Sequence, residues 1–408
     1  GNNIQFAGME HFTFTDLGAG PDNITTGDGD DVLNSGANAD TLQSGGGIDV
    51  IDGGASDDRW GADKSFTSQA IIIDLNGSST YLGTGSVVNI EGFAGLTTGS
   101  GNDVITGTAA NLSDVVNTGA GNDTITLRGA GQDTIDGGTG SDRLVVTYAA
   151  DQTTGVDLTS LTGSFATGYG GTFDGPGGNN VQFTGIEHFT FSDLGPGPDN
   201  ITTGDGNDVL SSGASADTLQ SGGGIDVIDG GASDDRWGAD KSFTSQAIII
   251  DLNGSSTYLG TGSVVNIEGF AGLTTGSGND VITGTAANLA DIVNTGAGND
   301  TITLQGAGHD TIDAGSGNDR LIVTYTVNFG VDMTVSGTLA AGYSGVFDGT
   351  GSNNIDFSGV EHFTFTDSGD GPDNITTGDG DDVLNSGANA DTLQSGGGID
   401  VIDGGASD

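Results

Sequence analysis

Along residues 17–61 a large apolar residue returns every nine positions, flanked mainly by glycine and polar residues. The blocks read LGAGPDNIT, TGDGDDVLN, SGANADTLQ, SGGGIDVID and GGASDDRWG, and their eighth positions are Ile24, Leu33, Leu42, Ile51 and Trp60. Each block divides into a six-residue glycine-rich turn and a three-residue strand whose middle side chain points one way and its neighbours the other. Two blocks make one coil, with a strand on each side and a turn at each end. Stacked coils give two parallel sheets that close on a thin apolar ladder. The pattern predicts an all-β chain, a parallel β-roll or β-solenoid drawn out as an elongated rod.

A looser run follows at 98–145, with TGSGNDVIT, TGAGNDTIT, RGAGQDTID and GGTGSDRLV. An eleven-residue block, GTAANLSDVVN, lies between the first two and is expected to break the register at Asp114 and at its copy Asp291. Leu127 and Leu304 read as single-residue insertions. Between the runs, residues 70–77, 86–93 and 143–149 are longer and richer in β-branched residues, as ordinary strands are. In EHFTFTD, Phe12 and Phe14 are expected to face inward, and His11, like His188 and His362, outward. Trp60 and Trp237 close their runs and read as core plugs.

The short period sits inside a long one. The motif at residues 2–6 returns at 179–183 and at 353–357, and residues 39–112 are identical to 216–289. The repeats are 1–177 (runs 17–61 and 98–145), 178–351 (runs 194–238 and 275–322) and a truncated 352–408 (run 368–408), with no linker between them. The chain opens without Met and ends inside a motif that is complete elsewhere, so a piece of a longer protein is expected.

Charge changes the picture. Seven Lys and Arg face 56 Asp and Glu, a formal charge of -49, which disfavours nucleic acid and anionic membrane surfaces as partners. No apolar run approaches the length needed to span a bilayer. The acids are 51 Asp and only 5 Glu, and the aspartates recur at the sixth position of the blocks. These are Asp22, Asp31, Asp40, Asp49 and Asp58, then Asp103, Asp123, Asp133 and Asp142. The second repeat carries Asp199, Asp208, Asp217, Asp226 and Asp235, then Asp280, Asp300, Asp310 and Asp319. The third carries Asp373, Asp382, Asp391 and Asp400.

With two blocks per coil, Asp22 lies over Asp40, Asp31 over Asp49 and Asp40 over Asp58, about 4.8 Å apart. Carboxylates that close repel unless a cation separates them. Ca²⁺ takes six to eight oxygens at flexible geometry and can draw on both carboxylates and nearby turn carbonyls, whereas Mg²⁺ demands a strict octahedron. Each five-block run is expected to hold roughly three ions. The short Asp side chain suits the tight turn and Glu would overshoot it. The few cations, Arg59, Lys64 and Arg143, lie beside run ends and are expected to neutralise neighbouring Asp. In the turns, Asn38, Asn389, Ser56, Ser215 and Ser233 stand where glycine's left-handed freedom is otherwise used.

The recurring GGxGxDxUx pattern resembles the RTX (repeats-in-toxin) nonapeptide family. The resemblance implies a parallel β-roll, Ca²⁺ held between turns by the aspartates above, and export through a type I secretion channel by a chain that folds outside the cell. No HExxH, GxSxG or cysteine is present, and the glycine-rich stretches lack a P-loop lysine, so the segment is not expected to be an enzyme. The leading reading is a Ca²⁺-stiffened structural region of a secreted cell-surface or matrix protein, as in an adhesin stalk, S-layer or filament, extended by further copies of itself. The alternative is an accessory secretion and folding module of a larger secreted toxin or enzyme. Ice binding by threonine rows is disfavoured because Asn, Gln and Asp interrupt them.

Overall fold

A computed structural model describes residues 9–16, 18–149, 153–326, 328–349, 351 and 353–406. The motif at 2–6, the block start at Leu17 and the terminal Ser407 and Asp408 lie outside the described residues. Strands dominate, and the helical content among the described residues is one 3₁₀ turn, Pro176–Gly178. The chain packs as two compact units, 1–197 with 202–206, and 198–201 with 207–408.

In the first unit the nonapeptide strands alternate between two faces. Thr13–Thr15, Val32–Asn34, Val50–Asp52 and Gly85–Val88 pair in parallel on one face. Asn23–Thr25, Thr41–Gln43, Arg59–Asp63 and Gly92–Thr97 pair in parallel on the other. Leu42 stands between Ile24 and Trp60, one coil of eighteen residues away on each side. Leu33, Leu42, Ile51 and Trp60 are buried. Their neighbours Val32 and Val50 are exposed, as the two-residue strand period requires.

The second run keeps the stack going. Gly92–Thr97 continues through Val115–Asn117 and Gln132–Asp136 to Asn180–Ile186. The opposite face restarts at Ile72–Asp74 and continues through Val104–Thr106, Thr124–Arg128 and Arg143–Tyr148 to His188–Asp193. The eleven-residue block breaks the nine-residue count without unpairing its strand. Val115 pairs with Ala94 and Thr134, the surplus residues of the block lie in the turn before Asp114, and the one register shift here is a bulge in strand Gly92–Thr97 between Ala94 and Leu96. Leu127, the single-residue insertion, lengthens its strand, pairs with Val146 and is buried. Leu304 does the same against Val323.

Two features depart from a purely parallel roll. Ser79–Tyr81 runs antiparallel to Gly85–Val88, ending one face of the first run. Gly168–Asp174 folds back antiparallel on Asn180–Ile186 and on Thr162–Ser164. The residues there lack the nonapeptide turn and carry aromatics. Phe173, Phe183, Phe189 and Phe191 pack together, with Phe173 stacked on Phe191 at 5.6 Å and Phe183 edge-on to Phe189 at 5.2 Å.

The second unit repeats the scheme. Thr218–Gln220, Arg236–Asp240, Gly269–Thr274, Ile292–Asn294, His309–Asp313 and Asn354–Val360 make one parallel stack. Ile249–Asp251, Val281–Thr283, Thr301–Gln305, Arg320–Tyr325, His362–Asp367, Val383–Asn385 and Val401–Asp403 make another. Asp332–Thr338 and Gly342–Asp348 form its antiparallel hairpin.

Candidate calcium ladder

Each turn is held over the next by its aspartate. The main-chain N–H of Asp22 donates to Oδ1 of Asp40 at 2.7 Å, and that of Asp40 to Oδ1 of Asp58 at 2.7 Å. On the other edge Phe12 donates to Asp31 and Asp31 to Asp49. The second run repeats this from Ile71 to Asp103, Asp103 to Asp123 and Asp123 to Asp142. It does so also from Phe93 to Asp114 and Asp114 to Asp133. In the second unit Asp199 donates to Asp217, Asp217 to Asp235 and Asp208 to Asp226. Ile248, Asp280 and Asp300 donate to Asp280, Asp300 and Asp319, and Phe270 and Asp291 to Asp291 and Asp310. Val331 and Asp373 donate to Asp373 and Asp391, and Phe363 and Asp382 to Asp382 and Asp400. The position-six aspartates thus form rungs, and Asp114 and Asp291, which a strict nine-residue reading sets aside, stand among them.

The rung uses one carboxylate oxygen. Asparagine would supply the same acceptor without charge, so the second oxygen is what aspartate adds. In the first unit Oδ2 of Asp31, Asp40, Asp58 and Asp142 is buried and makes no hydrogen bond. In the second unit the same holds for Asp235, Asp280, Asp310, Asp319 and Asp373. A buried carboxylate oxygen without donor or counter-ion is costly. Asp391 and Asp400 differ, since Ser386 and Ser395 donate to their Oδ2 atoms at 2.8 and 2.7 Å.

Burial pushes ten of the rung carboxyls well up from the ordinary value of 3.8. Asp58, Asp142, Asp235 and Asp319 reach about 7 despite the amide bond that opposes the shift. Asp133, Asp310 and Asp373 also reach about 7, and Asp114, Asp123 and Asp291 about 6, again through burial. Among the described residues no three His, Asp or Glu side chains converge on one point. A cation held here must therefore add main-chain oxygens to the carboxylates, which suits a hard, flexible oxygen-seeking ion such as Ca²⁺. The turns supply such oxygens. Gly54, at φ 95°, packs so closely on the Gly36 carbonyl that any Cβ would collide with it, and Gly138 does the same over Gly119. Asn38, Asn389, Ser56 and Ser233 adopt left-handed φ in these turns, but Ser215 does not.

Four of the five glutamates are the feature that composition alone concealed. Where a run ends, the next strand comes from much further along the chain, and a longer side chain completes the rung. Asp58 donates to Glu91 Oε2 at 2.7 Å and Asp142 to Glu187 Oε2 at 2.7 Å. Asp235 and Asp319 donate likewise to Glu268 and Glu361. The recurring Glu two residues before Phe in EGF and EHF was the available signal.

The cations divide. Arg59 donates to the carbonyls of Phe93 and Ser113, and its charge also eases the ionisation of Asp114 and Asp133, as expected of it. Arg143 donates to the Phe189 carbonyl and the Thr190 hydroxyl. Lys64 makes the closest contact, for its ammonium lies 2.6 Å from Asp49 Oδ2, both groups fully buried. The histidines serve as hydrogen-bonding groups at the strand edges: His11 meets the Asp30 carbonyl, His188 the Ser141 hydroxyl and His362 the Asn318 amide. Trp60 is fully buried, with its indole N–H on Ser44 Oγ.

The family model for the RTX calcium-binding nonapeptide repeat matches residues 17–42, 36–59, 96–125, 108–144, 194–228, 212–236, 273–302, 287–321, 367–402 and 387–408. Comparison with curated proteins returns no match. The matched stretches cover more than half of the chain and hold its aspartate rungs, and such repeats bind several Ca²⁺ ions. The chain belongs to the RTX calcium-binding nonapeptide repeat family.

Proposed function

We propose that Ca²⁺ ions sit in the stacked turns against the unpartnered Oδ2 atoms of rung aspartates such as Asp31, Asp40 and Asp58, and that loading them is what drives the runs to fold. The observation that carries this is the set of buried, unpartnered carboxylate oxygens, recurring in both units. A divalent cation answers both their missing partner and the repulsion between successive rungs. The ladder of single apolar side chains is thin, so the ion's binding free energy becomes folding free energy. With Ca²⁺ scarce inside cells and abundant outside, such a chain stays open for export and closes after it. The repeat is a structural calcium-binding element. We assign it to the Ca²⁺-stiffened repeat region of a secreted cell-surface or matrix protein, with neighbouring copies of the repeat as its partners.

Circular dichroism titration tests the core of the proposal. The chain is expected to lack β structure in excess chelator and to gain it cooperatively on adding Ca²⁺ but not an equal concentration of Mg²⁺. A folded spectrum that chelator leaves unchanged overturns it.

A further inference from the structure

The chain has only two lysines, Lys64 and Lys241, and they occupy equivalent places in the two long repeats. Each is fully buried. Lys64 Nζ donates to Asp49 Oδ2 at 2.6 Å and to the Gly45 carbonyl of the same turn at 3.0 Å. Lys241 Nζ donates to Asp226 Oδ2 at 2.5 Å and to the Gly222 carbonyl at 3.0 Å. A second carboxylate oxygen and a glycine carbonyl of the nonapeptide turn are the donor types that the other rungs offer to Ca²⁺. Here both are already engaged by an ammonium.

The rest of the rung is closed as well. At a regular rung the aspartate N–H donates to the next carboxylate. The N–H of Asp49 donates instead to the Tyr81 hydroxyl at 3.0 Å, and that of Asp226 to Tyr258 at 2.9 Å. Tyr81 lies on the antiparallel strand that ends this face, and its ring stands 5.8 Å from Lys64 Nζ. Lys241 stands at the same distance from Tyr258. The ladder therefore stops with a neutral donor and acceptor above and a fixed positive charge beside it.

We infer that Lys64 and Lys241 are built-in cations that take the place of Ca²⁺ at Asp49 and Asp226, so that these two rungs bind no metal even when the other rungs are saturated. A divalent ion and an ammonium cannot share one carboxylate oxygen at contact distance, because like charges this close in a buried site repel strongly. The lysine wins by being tethered, its aliphatic stem buried with its head already placed. One edge of each first run thus closes without metal, giving the other coils a fixed rung to stack on. This rests on the reading that the ordinary rungs hold Ca²⁺.

Two measurements on the whole chain test it. Equilibrium dialysis counts bound Ca²⁺ at saturation in the wild type, in Asp40→Asn/Asp217→Asn and in Asp49→Asn/Asp226→Asn. The first pair is expected to lower the count by about two ions, one per altered rung, and the second to leave it unchanged. Equal losses from both pairs overturn the lysine assignment alone. No loss from either overturns the rung reading, and the lysine assignment falls with it. Should Asp49→Asn/Asp226→Asn fail to fold, amine acetylation of the Ca²⁺-saturated wild type, read by peptide mass, still decides. Both lysines are expected to react more than about tenfold slower than in the chelated chain. Labelling as fast as in chelator shows that Ca²⁺ has displaced them and overturns the inference.

Discussion

The first run and the aromatic segment of the same unit hold their coils by opposite means. In the run, a three-residue strand such as Thr41–Gln43 buries one side chain, Leu42, and the turn beside it buries a carboxylate, Asp40. In the segment that follows, six-residue strands bury alternate residues: Leu144, Val146 and Tyr148 on one, Phe189 and Phe191 on the next. One stack depends on charge being neutralised and the other on apolar area and aromatic packing. The same strand ladder can be carried by either. The cation-dependent form needs fewer hydrophobic residues per coil.

Removing Ca²⁺ is the largest perturbation that separates them. Hydrogen exchange read by mass spectrometry is expected to show amides of 23–61 exchanging more than about 100-fold faster in chelator than in Ca²⁺, with 181–193 losing much less protection. Equal loss in both segments removes the contrast. Next in size, Phe191→Ala empties the aromatic cluster and is expected to cost about 3–5 kcal/mol in urea unfolding, in low and high Ca²⁺ alike. A cost that vanishes at high Ca²⁺ counts against an apolar origin.

Acid should partly replace the ion. Asp58 and Asp142 titrate near 7 in the folded chain, above the ordinary 3.8, because burial disfavours their charge. A raised folded value adds stability that is full below about 4 and disappears as pH rises through about 7. In chelator, β structure is therefore expected to grow as pH falls from 8 to 5, whereas Ca²⁺ should flatten that dependence. Circular dichroism across this range checks it, and a metal-free chain that loses structure on acidification contradicts it. The smallest expected effect is Asp40→Asn. It keeps the amide acceptor and removes one charge, so the Ca²⁺ midpoint should rise roughly tenfold, while in chelator the variant should be no less folded than the wild type.

The nine-residue period made the run readable because it fixes two things at once. One apolar side chain per block sets the strand, as Leu42 and Trp60 show, and one aspartate per block sets the turn. What stayed hidden depends on contacts between residues far apart in the chain. Glu91 reaches Asp58 across 33 residues, and Tyr81 reaches Asp49 across 32, spacings with no local signature. The eleven-residue block was harder to read for a related reason. Counting residues treats a turn as fixed in length, whereas the strand register at Val115 is set by its neighbours Ala94 and Thr134 and the turn takes up the surplus. The antiparallel Gly168–Asp174 escaped because its glycines and aromatics carry no period.

The glutamate rungs bear on how such a gene can drift. Asp142 finds Glu187 45 residues on, while its counterpart Asp319 finds Glu361 after 42, and both bonds are 2.7 Å. Three codons have thus been gained or lost between the copies without moving the carboxylate that closes the run. The intervening stretch differs in length between two repeated anchor points, while the coils on either side are copied nearly letter for letter.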